Sequence, residues 1–352
     1  MSYKLPTVSL KDIANEVGVS ISLVSKVLNG RLGSTRVSRE LAAKIHQVAQ
    51  ARNYRKNSSA LSLRSGFHDS LSVMIHRHGE GGSPLVDYMV RGVFEEANRG
   101  NQKLLMGFFK EKQEFLDVCA SAHRGLVDGL IIGGAVHNEL CEEVLKLKQE
   151  GWPLVTILEE ALHPSIPNVG INAMATGEMP TRHLIEQGCK TIGHLSVRPE
   201  RRAGYEKAMN EAGFFIDEEW VVECGFDAFG YSHGVVAAQK WLKLGRIPDG
   251  VVAQSDCLAV GFMNTVREAG IRCPEDVLVI GVDDSPFCAY SLPSLSSVNQ
   301  RNYPRGKKAV EMIMALREGG EVESIEFEPT LKVRRSTGGV PTEDLTGDQP
   351  LG

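Results

Sequence analysis

The sequence lacks any apolar run approaching the roughly 18 residues needed to cross a bilayer. Its opening residues, Met1 to Thr7, also lack the apolar core of a secretory signal, so a cytoplasmic protein with no membrane contact is expected. The seven cysteines (Cys119, Cys141, Cys189, Cys224, Cys257, Cys273 and Cys288) form no C-x-x-C pair and are odd in number. Neither a disulfide framework nor a zinc cluster follows, and most are expected to be small buried hydrophobes. His76 and His78 stand two apart beyond an apolar run, an arrangement that rarely binds metal without further ligands. Gly79-Glu-Gly-Gly82 lacks the Gly-Lys-Ser/Thr of a phosphate loop. Asp283 and Asp284 are adjacent, whereas paired-carboxylate catalysis needs side chains that face each other across a cleft. An enzyme is therefore not expected, and no cofactor or metal is implied.

What is present is an ordinary globular composition, 42% hydrophobic and 24% charged, over a length of 352 residues that suits two or three compact units. The net charge of −5 conceals a division. Residues 1–66 hold 11 Lys/Arg against 3 Asp/Glu, a net of +8, and the remainder is left with −13. A basic head on an acidic body suits a polyanion ligand for the head, because cations that neutralise phosphates release condensed counterions. Charge alone serves a solvated surface equally well, so the local pattern has to decide.

In Ser9-Leu-Lys-Asp-Ile-Ala-Asn-Glu-Val17, Ser9 and Asp12 have the spacing of a helix cap, and Leu10, Ile13, Ala14 and Val17 share one face. Gly18-Val19 makes a tight turn. Ser20 then caps a second helix, Ile21 to Asn29, with Val24, Val27 and Leu28 inward and Ser22, Ser25, Lys26 and Asn29 outward. Ser38 caps a third helix through about Arg52, with Leu41, Ala42, Ile45, Val48 and Ala49 at helical spacing. Three short helices with a glycine turn between the first two read as a helix-turn-helix.

The run Leu10 to Gly30, followed by Val37-Ser38 and Asn53-Tyr54-Arg55-Lys56-Asn57, resembles the headpiece of the lactose and galactose repressor family, and the order of strands and helices beyond it follows that family too. The resemblance implies that the second helix enters the DNA major groove. It places Ile21 and Ser22 at the principal specificity positions, Lys26 one turn later, and Ser20, Ser25 and Asn29 on phosphates or base edges. Ser9, Leu10, Ser38, Tyr54, Asn57 and Ala60 complete the implied DNA-contacting set. Lys26 stands where most members have Arg, and it lacks the rigid two-pronged fork of a guanidinium. Residues 57–66 match the family's hinge helix, with Leu63 at the position of the minor-groove wedge. Lys56 replaces the usual proline before that segment, which is Ser-rich and expected to be disordered when free.

From Leu71 the pattern changes to short apolar runs alternating with amphipathic helices: Leu71 to Ile75, Lys103 to Phe109, Gly129 to Ile132, Leu154 to Ile157, Thr191 to Leu195, Gly250 to Ala253 and Val277 to Val282. Such alternation signals parallel sheets with crossover helices, and a body of this size exceeds one core. The expected fold is thus an α-helical helix-turn-helix headpiece plus an α/β periplasmic-binding-protein-like effector domain of two parallel-sheet subdomains. The expected boundaries are 1–56 for the headpiece, 57–66 for the hinge, 67–340 for the effector-binding and dimerisation domain, and 341–352 for a flexible tail. Crossovers between the subdomains are expected near residues 158–172, 284–290 and 297–303.

The resemblance also implies a ligand cleft at strand C-termini, lined by Ser83, Leu85, Glu159, Arg201, Phe226, Ser255, Asp256, Asp283 and Gln300. Arg201 is expected to donate paired hydrogen bonds to hydroxyls or a carboxylate, and Asp283 to accept from ligand hydroxyls. Phe226 or Phe229 supplies an aromatic wall. Asp256 is also read as the cap of a helix from Leu258, and Asp284 as the brace of a turn. Ser83, Leu85, Val86 and Ser255 depart from the family pattern, which leaves open a ligand unlike common hexoses or purines, or a degraded pocket. The implied protein is a dimeric, sequence-specific transcription regulator, most often a repressor in this family. Its implied partners are a pseudo-palindromic operator in double-stranded DNA and a small metabolite, such as a sugar or sugar derivative. The tail lacks a leucine heptad, so a homodimer is expected rather than a tetramer. The alternatives are an activator, or a regulator controlled by a partner protein through a vestigial pocket. A sugar-transport protein fails to explain residues 1–66, and a sugar enzyme is more distant still.

Overall fold

The computed structural model describes residues 8–30, 32, 35–54, 67–76, 84–122, 126–134, 140–224 and 230–339, excluding the side chains of 84, 85, 118 and 120–122. Asn57, Ala60, Leu63, Ser83, Phe226, Phe229 and the tail from residue 340 lie outside the described residues, as does the side chain of Leu85. The chain divides into two units, residues 1–68 and 69–352.

In the first unit three helices form where the caps predict them: α1 (Leu10–Val17), α2 (Ile21–Leu28) and α3 (Arg39–Ala51). Ser9 and Asp12 make a reciprocal capping box, and Ser20 and Ser38 accept from the backbone N–H three residues on. Gly18 closes α1 at φ 79°, a left-handed conformation that glycine adopts without the Cβ penalty. Ile13, Ala14, Val24, Val27, Ile45 and Ala49 form the buried centre. It is small, so each cap is a large share of the head's stability.

The second unit holds two subdomains. The first has a parallel sheet in the order β2-β1-β3-β4, made of β1 (Ser70–His76), β2 (Lys103–Phe109), β3 (Leu130–Gly133) and β4 (Leu154–Ile157). Its helices are α4 (Pro84–Arg99), α5 (Lys112–Ala122) and α6 (Cys141–Gln149). The chain then forms β5 (Val169–Ile171) and enters the second subdomain through α7 (Ala173–Glu186). There β6 (Ile192–Ser196), α8 (Pro199–Glu211), β7 (Val221–Glu223), α9 (Tyr231–Lys243), β8 (Gly250–Ala253), α10 (Asp256–Glu268), β9 (Leu278–Val282) and β10 (Ser296–Asn299) follow. Helix α11 (Asn302–Arg317) returns to the first subdomain, where Ala309, Val310 and Ile313 join the core of Leu71, Val73 and Val155. Strand β11 (Ile325–Phe327) pairs with β5, and β12 (Thr330–Lys332) lies antiparallel to β10. The second sheet therefore runs β12-β10-β9-β8-β6-β7.

Two of the expected crossovers are present, at 158–172 and between β10 and α11. The third is not at 284–290. Strands β9 and β10 are parallel neighbours in one sheet, so the segment between them, with its short 3-10 turn Pro286–Ala289, stays within the second subdomain. The third passage is at residues 328–329, between β11 and β12. Helices pair by a repeated device: Gly92 and Gly306 at α4/α11, Gly177 and Gly204 at α7/α8, and Gly234 and Gly261 at α9/α10. In each pair, a Cβ on either glycine would collide with a backbone carbonyl oxygen of the facing helix. Gly177 faces the carbonyl of Arg201, so this crossing fixes where Arg201 stands. Gly177→Ala is expected to lower unfolding free energy by about 1–3 kcal/mol in urea melts. An unchanged midpoint would show that the helices separate without cost.

Candidate functional site

In the first unit, the start of α2 presents an exposed surface. Ile21 is 47% exposed although apolar, and Ser22 is exposed beside it. The Ser9, Ser20 and Ser38 hydroxyls are committed as caps, while Leu10 and Tyr54 pack partly buried against the head's core. Asn29 donates to Ser25 Oγ at 3.3 Å, and the Lys26 ammonium donates to Thr35 Oγ1 at 2.7 Å. Lys26 is therefore half-buried along the following segment. Lys11, Arg36, Arg39, Lys44 and Arg52 add exposed positive charge, with Arg52 paired to Glu16 at 2.7 Å. An exposed helix N-terminus flanked by cations is chemically suited to phosphate and base edges.

The second unit gathers polar side chains at the C-terminal ends of β6, β8 and β9, where the sheet order reverses between β6 and β8. Arg201, in the first turns of α8, is only 2% exposed. Its Nη1 donates to Gln254 O at 3.0 Å, and its Nη2 donates to Gln300 Oε1 at 3.1 Å and to Glu159. Its Nε is buried and meets no acceptor among the described residues. Gln300 Nε2 donates to Asp283 Oδ1 at 2.6 Å. The structure thus joins Glu159, Arg201, Gln300 and Asp283 in one chain of hydrogen bonds. Asp283 and Asp284 have φ of 121° and 52°, conformations costly for non-glycine residues, and the Asp283 N–H donates to Val298 O at 2.8 Å.

Asp256 does not cap α10. Ser255 does, accepting from Leu258 N at 3.1 Å. Asp256 is fully buried and accepts from Ser285 N at 2.7 Å and Ser297 Oγ at 2.6 Å, which pins the loop carrying Asp283. Asp284 braces the same turn, accepting from Arg334 Nη2 at 2.6 Å and Asn299 Nδ2 at 3.0 Å.

Burial raises the Asp283 carboxyl well above the usual range, and the adjacent Asp256 carboxylate adds to it. Burial likewise pushes Asp256 up to about 6, opposed by its bonds from Ser297 and Ser285. The shift of Asp283 favours its neutral carboxylic acid, a form that can donate as well as accept. Burial alone would raise Glu159, but the Arg201 and Arg198 guanidiniums hold it below the ordinary carboxylate value.

Several residues of this cluster had no signal in the sequence. Gln254 Oε1 accepts from the N–H groups of Val197 and Arg198 at 2.7 and 2.8 Å, which anchors the start of α8. Its Nε2 must then donate to His194 Nε2 at 2.7 Å, so His194 carries its proton on Nδ1, which meets no acceptor among the described residues. Arg198 Nε lies 3.6 Å from Glu159 Oε2. The buried Arg305 donates to Leu158 O at 2.8 Å and Val169 O at 3.0 Å, closing the neck of the loop that carries Glu159. The only foreshadowing was positional: Gln254 precedes Ser255-Asp256, and Arg198 stands one helical turn before Arg201.

Burial, with help from Arg202 and Arg201, lowers the pKa of His194 from 6.5 to about 3. The unfolded chain then binds a proton below about pH 6.5 that the folded protein refuses, so this stability is intact above 6.5 and drains as pH falls toward 3. Between pH 7 and 5 the drain is about 2 kcal/mol. His194→Gln is expected to flatten that part of the stability profile in urea melts. A slope identical to the parent's would contradict the assignment.

Comparison with known proteins agrees with both units. Residues 9–57 match the family model described as bacterial regulatory proteins, lacI family, and residues 181–337 match a periplasmic binding protein-like domain. The HTH-type transcriptional regulator RegA of Clostridium saccharobutylicum is 30% identical, covering 94% of this chain and 99% of its own. The HTH-type transcriptional repressor PurR of Photobacterium profundum is 26% identical, covering 93% and 98%. The Lac repressor dimer bound to operator and the anti-inducer ONPF shares the fold with a TM-score of 0.78 at 20% identity, covering 94% and 99%. On these matches, and above all on the near full-length identity with RegA, the chain belongs to the lacI family of bacterial regulatory proteins.

Proposed function

We propose that this protein is a sequence-specific DNA-binding transcriptional repressor. It acts as a homodimer on a pseudo-palindromic operator and is controlled by a small metabolite in the cleft of the second unit. The observation that carries the reading is the presence, in one chain, of a helix-turn-helix with an exposed Ile21-Ser22 edge and a buried Arg201–Gln300–Asp283 cluster at a sheet switch point. Ile21 contacts thymine methyls, Ser22 and Asn29 reach base edges or phosphates, and Lys26 turns from Thr35 to the DNA. Residues 57–66, with Leu63 as the minor-groove wedge, link the head to the body. The cleft set is Glu159, Arg201, Asp283 and Gln300, with Ser255 and Asp256 behind as supports.

Two exposed apolar surfaces suit the second copy. On the first subdomain they are Phe94 of α4 and Leu105, Met106 and Phe108 of the edge strand β2, and on the second they are Tyr231, Val236, Tyr290 and Leu292. An uncovered apolar edge strand is a liability in a monomer, and a two-fold operator requires a two-fold protein.

Selection of duplexes from a random pool by the full-length protein, at fixed salt, tests the reading. Enrichment of a palindrome is expected, and no enrichment would refute it. On that duplex Ser22→Ala should relax discrimination at one base pair per half-site by about 1–3 kcal/mol. Equal loss on every sequence would place Ser22 on phosphates instead. Phe108→Glu with Leu292→Glu should shift the protein to monomer in light scattering and weaken operator binding. A dimer that persists would put the interface elsewhere.

A further inference from the structure

Three guanidiniums converge on one carboxylate in the cleft. Arg201 donates to Glu159, Arg198 Nε lies 3.6 Å from the same group, and Arg305 acts on it electrostatically from behind. Arg305 is 3% exposed and is held by the carbonyls of Leu158 and Val169 and by Asn302 Oδ1 at 2.8 Å, so it has no bonded counter-ion among the described residues. Exposed Glu160 and half-buried Glu200 act on Arg198 from the outer side. Asp283 and Asp256 face the cluster from the second subdomain, where burial and the Asp256 carboxylate favour the neutral form of Asp283, and Asp256 is committed to Ser285 and Ser297. Glu159 is thus the carboxylate bonded to Arg201, and it comes from the first subdomain's crossover loop.

The unused donor is as informative as the crowding of charge. Nε and Nη2 of a guanidinium form a fork that a carboxylate fills with two parallel bonds. Here Nη2 serves Glu159 and Gln300, while the buried Nε serves no acceptor among the described residues. A neutral polyol that displaced Glu159 would leave the buried Arg201 and Arg305 without its compensating charge, and one that left Glu159 in place would find little of Arg201 to bind.

We propose that this cleft takes a carboxylate-bearing metabolite, whose carboxylate seats on the Nε/Nη2 fork of Arg201 in place of Glu159. This deepens, and rests on, the reading of the cleft as the effector site. Glu159 is an internal stand-in for the ligand: it ties the first subdomain's loop to Arg201 of the second, and the incoming carboxylate releases that tie. Hydroxyls on the same ligand are read by Asp283, which is joined to Arg201 through Gln300.

The test follows melting of full-length Glu159→Gln and the parent protein in sodium acetate and in equal sodium chloride. Acetate should restore the missing carboxylate, raising the Tm of Glu159→Gln by about 2–4 °C at roughly 0.1 M beyond the chloride effect. The parent, and the double variant Glu159→Gln/Arg201→Met, should respond to the two salts alike. Acetate acting no better than chloride on Glu159→Gln overturns the proposal. Should Glu159→Gln not fold, Glu159→Asp, whose shorter carboxylate retracts from Arg201, is read in the same way. In parallel, D-gluconate is compared with D-glucitol, and D-glucuronate with D-glucose, on the parent protein. An Arg201-dependent Tm rise with the neutral member alone would keep the effector site and discard the anionic class. A rise that persists in Arg201→Ala would instead move the effector site itself.

Discussion

A buried guanidinium that cannot be neutralised organises the body of this protein. Arg201 is almost wholly out of water, and its charge is tolerated only because acceptors arrive from three separate parts of the chain. The carbonyl of Gln254 comes from the end of β8, Gln300 from beyond β10, and Glu159 from the crossover loop after β4. Asp283 follows through Gln300. The helix that carries it is set by the reciprocal glycines of α7 and α8, and its first turn is anchored by Gln254.

In the proposed reading, the same constraint is what lets the cluster respond to a ligand. Glu159 and Arg201 belong to different subdomains, so the ion pair between them is also a mechanical link. Packed interiors settle in discrete arrangements, and changing one acceptor on a buried guanidinium biases which arrangement is occupied. The head needs no such device. Its three helices are held by three serine caps and a six-residue core, and its chemistry lies on an exposed helix start.

The helices of the head were legible because each has a local signature, a capping serine followed by apolar residues at helical spacing. Strands β1, β3, β4, β6, β8 and β9 were legible as apolar runs buried on both faces, and β2 as an apolar run that lies largely exposed at the sheet edge. Strands β5, β7, β11 and β12 have only three residues each, too few for a period to show, and β10 reads Ser-Ser-Val-Asn, polar yet buried because Ser296 and Ser297 find distant partners. The misplaced third crossover has the same origin, since only the pairing of β12 with β10 reveals it. Glu159, Arg201, Asp283 and Gln300 were reachable through family resemblance. Asp256 was misread because Ser and Asp cap helices equally well, and only Ser285 and Ser297 show which residue is free to do so. Arg198, Gln254, His194 and Arg305 take their roles from residues far away in sequence, which no local pattern encodes.

In the proposed reading, DNA reading and metabolite binding are energetically linked within one chain, and linkage has a reciprocal signature. The direct measurement is operator affinity with and without saturating metabolite, set beside metabolite affinity with and without saturating operator, on the same full-length protein at one salt concentration. Each ligand is expected to change the affinity of the other by the same factor. Two ligands that both bind, each indifferent to the other, would contradict it.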